Sequence, residues 1–152
     1  MIVIICPELF RMLKKNTETP SFYSEKVGGL GFDIALRIKN EGKKIKLITF
    51  LGGYNGYWIK EQFRKMGIKT KHVRTLAESP LKISQNNTDE VYQYGNPSRE
   101  NWEDLKKSVR QCSKNVEKMI LVLCNLTKDH LAFSSDIEKI AQDLSVPLEK
   151  VI

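Results

Sequence analysis

Histidine is scarce in this 152-residue chain, cysteine is sparse and irregularly spaced, and long apolar runs are missing. Each shortage removes a class of function. His72 and His130 stand apart from each other and from any Cys-x-x-Cys pair, so no zinc or iron ligand set is expected. Cys6, Cys112 and Cys124 form an odd set, each within or beside an apolar pattern, which predicts buried thiols in a reducing cytoplasm rather than disulfides. No apolar run approaches the roughly 18 residues of a membrane-spanning helix. The opening Met1-Ile2-Val3-Ile4-Ile5-Cys6 is too short for a secretory signal and lacks its basic lead and small-residue cleavage site. It reads as a first strand, in a soluble protein with no membrane partner. Asn86-Asn87-Thr88 and Asn125-Leu126-Thr127 match the glycosylation pattern, which has no weight without secretion. Segments mixing aromatic and basic residues in the RNA-binding manner are missing too, as are helix-turn-helix and zinc-finger spacings. Nucleic acid is therefore not an expected partner, although the net charge is +7. The lysine pairs Lys14-Lys15, Lys43-Lys44 and Lys106-Lys107 are spread along the chain as on a solvated surface.

With 41% hydrophobic residues, no internal repeat and no linker, residues 1–152 are expected to form one domain. Ile2 to Cys6, Ile45 to Leu51 and Met119 to Cys124 are continuous apolar runs, as in strands buried on both faces. Between them lie helical patterns: Phe32 to Ile38 closed by Gly42, Trp58 to Met66 closed by Gly67, and Trp102 to Val116, which reads as the longest helix. Ile137 to Leu144 reads as a last one, and Val151-Ile152 as the opening of a strand that never arrives. Lys71 to Thr75 fits a further strand. Residues 8–27 read as loop around Thr19-Pro20-Ser21, with a short exposed strand as the alternative, and Leu81 to Ser84 with Val91 to Tyr94 as a hairpin about the polar turn Gln85 to Glu90. Strand and helix in alternation predict an α/β fold, a mostly parallel sheet with helices on both faces, to which 8–27 and 81–94 add a small β flap or lid.

Two glycine-rich turns, Gly28-Gly29-Leu30-Gly31 and Gly52-Gly53-Tyr54-Asn55-Gly56, fall at strand-to-helix junctions. Such turns either let backbone approach a ligand or serve the turn geometry alone.

Gly28-Gly29-Leu30-Gly31-Phe32-Asp33-Ile34-Ala35 resembles the Gly-Gly-Lys-Gly-x-Asn-x-Ala motif of the ribokinase-like sugar kinases, and Phe50 to Gly56 resembles their Phe-Leu-Gly-Gly-x-x-Gly turn. Met1 to Pro7 is similar to the family's opening strand, Met66 to Arg74 continues in register, and Cys124-Asn125-Leu126 falls where the 1-phosphofructokinase and tagatose-6-phosphate kinase branch carries Gly-Ser-Leu. The resemblance implies a ribokinase-like fold and the N-terminal, substrate-side half of a protein about twice as long. It implies binding of a phosphorylated sugar under a lid and phosphoryl transfer from MgATP by an aspartate base after a glycine-rich anion hole. Base, anion hole and nucleotide site belong to the other half, so no catalytic residue and no cofactor are expected in this chain.

By family position, substrate contacts fall on Gly28, Gly29, Gly31, Asp33, Gly52, Gly53, Lys82 and Asn125. Several positions depart from the pattern. Cys6-Pro7-Glu8-Leu9-Phe10 puts phenylalanine where the family has a sugar-binding aspartate, Leu30 replaces the motif lysine, Asp33 would repel a phosphate dianion, and Ser79-Pro80-Leu81-Lys82 replaces Thr-Arg-x-Asn. Each lost charge-assisted hydrogen bond costs roughly 1.5–3 kcal/mol. Lys26 and Lys82 either restore positive charge or are ordinary surface lysines; Glu8 either stands in for the lost aspartate or does not. The expectation is a degenerate or partial phosphosugar kinase, inactive alone. The alternatives are a non-catalytic sugar-phosphate-binding module and one chain of a split two-chain kinase. An unpaired sheet edge would favour a C-terminal-half partner or self-association.

Overall fold

The computed structural model describes residues 1–15, 23–112 and 114–152. Thr19-Pro20-Ser21 lies outside the described residues. Five strands form a wholly parallel sheet: β1 (Ile2–Ile5), β4 (Ile45–Leu51), β5 (Lys69–Arg74), β8 (Lys118–Val122) and β9 (Leu148–Val151), in the order β5-β4-β1-β8-β9. Because side chains alternate along a strand, β1 sends Ile2 and Ile4 to one face and Val3 and Ile5 to the other. All four are buried. Helices α1 (Leu30–Asn40) and α2 (Gly53–Lys65) cover the first face through Phe32, Ile34, Ile38, Ile59 and Phe63. Helices α3 (Arg99–Gln111) and α4 (Lys128–Asp143) cover the second through Trp102, Leu105, Val109, Phe133, Ile137 and Ile140. Each such side chain, fully buried, contributes about 1.5–3 kcal/mol.

Local chemistry sets the helix ends. Gly42 and Gly67, at φ 79° and 66°, follow α1 and α2 in the left-handed region. Ser98 starts α3 with a capping box, its Oγ accepting from the Asn101 amide at 3.1 Å while Asn101 Oδ1 accepts from the Ser98 amide at 2.9 Å. Contrary to the sequence reading, α4 is longer than α3, with 16 residues against 13. The reason lies at both junctions: Asn115 turns the chain at φ 59° before Val116, and Thr127 caps α4 ten residues ahead of Ile137.

A second sheet, β3-β2-β6-β7, stands beside the first. It holds β2 (Phe10–Lys15), β3 (Tyr23–Gly28), β6 (Leu81–Gln85) and β7 (Thr88–Tyr92). Much of the segment read as loop is thus paired strand: β2 runs antiparallel to β3 and parallel to β6. The β6–β7 turn is also tighter than expected. Gln85 pairs with Thr88, and Asn86 and Asn87 adopt φ 50° and 61°, the positive values a two-residue hairpin turn requires. Arg11 fastens this flap to α2. Its guanidinium donates to Asn55 Oδ1 at 3.3 Å and Glu25 Oε2 at 3.1 Å, and lies 5.3 and 5.1 Å from the ring centres of Tyr54 and Trp58. At the far end of the chain, β9 completes the strand of which only Val151-Ile152 was expected, pairing Leu148 to Val151 with Met119 to Val122.

Candidate functional site

In a parallel sheet the loops that leave the carboxyl ends of the strands converge on one rim. Here β1 and β8 are neighbours in register, so the loop after Ile5 meets the loop after Val122. Glu8, three residues beyond β1, joins them. Its Oε2 accepts from the amides of Cys124 at 2.9 Å and Asn125 at 3.1 Å, and its Oε1 accepts from Asn125 Nδ2 at 2.6 Å and lies 2.9 Å from His130 Nε2 on α4. Partial burial raises the Glu8 pKa, but the hydrogen bonds from His130 and Asn125, the His130 charge and the Cys124 amide outweigh it and hold the carboxyl below its usual range. The other ring nitrogen of His130, Nδ1, is 2.5 Å from Thr127 Oγ1, the hydroxyl that caps α4.

Over this rim lies a cavity of about 430 Å³. The sheet side contributes Pro7, Glu8 and Leu9 after β1, Phe50 of β4, Thr75 to Ser79 without Leu76 after β5, and Cys124, Asn125 and Thr127 after β8. Trp102 and His130 come from the helices, and Phe10, Lys82 and Val91 from the flap. Trp102 meets Phe50 edge to face at 5.0 Å and His130 at 5.1 Å, so three rings form a connected wall. Lys82 Nζ lies 3.0 Å from Asp89 Oδ2 and 5.6 Å from the centre of the Phe10 ring.

Of the residues chosen by family position, Lys82 and Asn125 line this cavity. The others sit outside its lining. Gly28 lies against the Phe10 ring and Gly31 against Cys6, in each case so closely that an added Cβ would stand within 2.4 Å of them. Gly29 precedes α1 at φ 118°, and the backbones of Leu30 and Gly31 approach the sulfurs of Cys124 and Cys6. A Cβ on Gly52 would stand 2.0 Å from the Ala77 carbonyl oxygen, and Gly53, at φ 62°, lies against Glu78. The start of α2 is occupied by this same loop: the Gly52 amide donates to Ser79 Oγ at 3.0 Å and the Asn55 amide to Glu78 Oε1 at 2.9 Å. Asp33 is exposed on α1 beside Leu36, Arg37 and Asn40, away from the cavity, so it is not placed to repel a ligand there. Lys26 is exposed on β3 and likewise absent from the lining.

Two further expectations change. Cys6 and Cys112 are buried, but Cys124 is exposed, because it lies on the rim loop beyond the last buried residue of the β8 run, Leu123. Neither rim thiol is activated: burial pushes Cys6 up to about 12, and burial together with the Glu8 charge raises Cys124. His130 and Trp102, central to the site, were not singled out from the sequence as functional. The discarded Asn125-Leu126-Thr127 stretch, a polar turn followed by a helix-capping threonine, was the available signal.

A search of protein-family models finds no match, and a search of curated proteins finds none either. Solved structures do match. A possible 1-phosphofructokinase from Thermotoga maritima aligns at TM-score 0.79 and 15% identity over 99% of this chain and 53% of its own. A carbohydrate kinase from Agrobacterium tumefaciens aligns at TM-score 0.71 and 18% identity over 99% and 53%. The tetrameric inhibited form of phosphofructokinase-2 from Escherichia coli aligns at TM-score 0.73 and 14% identity over 98% and 53%. This chain spans about half the length of the structures it matches. Its fold is that of about half of a ribokinase-like carbohydrate kinase.

Proposed function

We propose that this chain is the substrate-side half of a phosphosugar-kinase fold, degenerate at its substrate positions. It forms one domain whose cleft, roofed by flap residues of β2, β6 and β7, keeps a site for a phosphorylated metabolite. Phosphoryl transfer is not a property of these residues alone. The observation that carries this reading is the cavity itself, set at the carboxyl ends of β1, β4, β5 and β8 with Lys82 above it and Asn125 at its rim.

The start of α2 is closed to a phosphate by its own loop. The amides of Gly52 and Asn55 that begin α2 already donate to Ser79 and Glu78, so neither is free for a phosphate. What the cleft can do is bind. A phosphate receives one ammonium from Lys82, and Asn125 presents an amide side chain beside Glu8.

Calorimetric titration of the purified chain with phosphorylated sugars and aryl phosphates tests the reading, alongside an ATP turnover assay. Saturable heat with at least one phosphorylated compound and no turnover is the expected result; flat traces throughout, or turnover by the chain alone, would remove it.

A second reading has its own support. β9 is an edge strand whose outer side carries no ladder among the described residues, and Ile152 next to it is 71% exposed. A C-terminal-half chain that continues the sheet there would make a two-chain kinase. Co-purification of such a chain, with phosphoryl transfer by the pair, distinguishes this from binding alone.

A further inference from the structure

We infer that the cleft is built for a ligand with a planar, apolar body and a single acidic group, rather than for a polyol. The inference rests on the cavity being the binding site and specifies what enters it. A sugar needs several polar partners facing its hydroxyls, whereas four polar side chains of this lining, Glu8, His130, Thr75 and Gln93, already make hydrogen bonds within the protein. Both oxygens of Glu8 accept two hydrogen bonds each or their equivalent, from Cys124, Asn125 and His130. Both ring nitrogens of His130 are engaged, by Glu8 and Thr127. Thr75 Oγ1 donates to the Ala77 carbonyl at 2.8 Å, and Gln93 Nε2 donates to the Gly95 carbonyl at 2.9 Å. A hydroxyl pressed against these groups would be desolvated without a new partner.

Lys82 supplies a cation to this lining. Its ammonium has three donors and one ion-pair partner, Asp89, whose side chain is exposed, so that this surface pair is readily exchanged for a ligand anion. Next to it the surface is aromatic: Phe10 below the ammonium, and the joined rings of Phe50 and Trp102 in the same lining. Phe10 is also fixed in place, because its ring fills the space that Gly28 leaves without a Cβ. Aromatic rings in one lining favour a flat unsaturated body, while the ammonium donates to its acidic end.

The test is calorimetric titration of the full 152-residue chain with phenyl phosphate, fructose 1-phosphate and inorganic phosphate. Phenyl phosphate should bind at least tenfold more tightly than either of the others. Lys82→Ala should weaken phenyl phosphate at least tenfold while leaving the thermal midpoint within a few degrees, and Phe10→Asp should shift preference toward fructose 1-phosphate. Fructose 1-phosphate binding as well as phenyl phosphate would overturn this inference and leave the proposed function standing. Inorganic phosphate matching phenyl phosphate would overturn it by removing the apolar body from recognition. Flat traces with all three would overturn both.

Discussion

The two sheets of this molecule are built on opposite principles. In the parallel sheet every residue of β1 is buried, and β4 and β8 are buried along nearly their whole length. In the flap every residue of β7 and the first four of β3 are exposed. The first sheet derives its stability from apolar area on both faces; the second is held by its ladders, by Arg11 and by the rim it covers. Under the proposed function, stability and recognition fall to different parts of the chain, and substitutions should sort accordingly.

The largest effect belongs to the parallel sheet. Leu121→Ala removes a side chain that is wholly inaccessible between Ile5 and α4, and should cost about 2–5 kcal/mol in a denaturant titration, against less than about 0.5 kcal/mol for Thr88→Ala in the exposed edge of the flap. Comparable losses at the two sites would erase the distinction. Arg11→Ala comes next, because it cuts the flap from α2 and leaves Asn55 Oδ1 without this donor. About 1–3 kcal/mol is expected, read in hydrogen exchange as faster opening of β2 and β3 with β1 and β4 unchanged. Glu8→Gln is the smallest, at about 1–2 kcal/mol, and carries a pH signature. The Glu8 carboxyl is held below its usual range in the folded chain, so its contribution is complete above the ordinary carboxylate range and is lost as pH falls through the lowered value. The difference between wild type and Glu8→Gln should therefore be full at neutral pH and shrink in acid. A constant difference down to strong acid would show that Glu8 stays uncoupled from folding.

The same contrast explains what the sequence disclosed. β1, β4 and β8 are legible because a strand buried on both faces must be apolar at every position, and Ile2-Val3-Ile4-Ile5 has no other reading as compact. β2, with Phe10-Arg11-Met12-Leu13-Lys14-Lys15, has no such signature. It is a strand because β3 and β6 flank it, which is information held 8 to 70 residues away. The α3 boundary was overrun because Val116 keeps the helical spacing after Asn115 has already turned the chain. At the site, the glycine turns were visible, and the space beside them is taken by Phe10, Cys6 and the 75–79 loop. Glu8 and His130 were each visible as residues, but their pairing across 122 positions is a property of the β1–β8 register and of no local pattern.

The parallel ladder between β2 and β6 sets the order in which the molecule can assemble. Arg11 to Lys14 pair with Leu81 to Ser84 across 70 residues but with Ser24 to Val27 across 10 to 16, so closing the β2–β6 ladder costs more chain entropy and is expected to follow the β2–β3 pairing. Amide protection appearing in β3 before β6 during refolding would record that interval, and simultaneous protection would remove it.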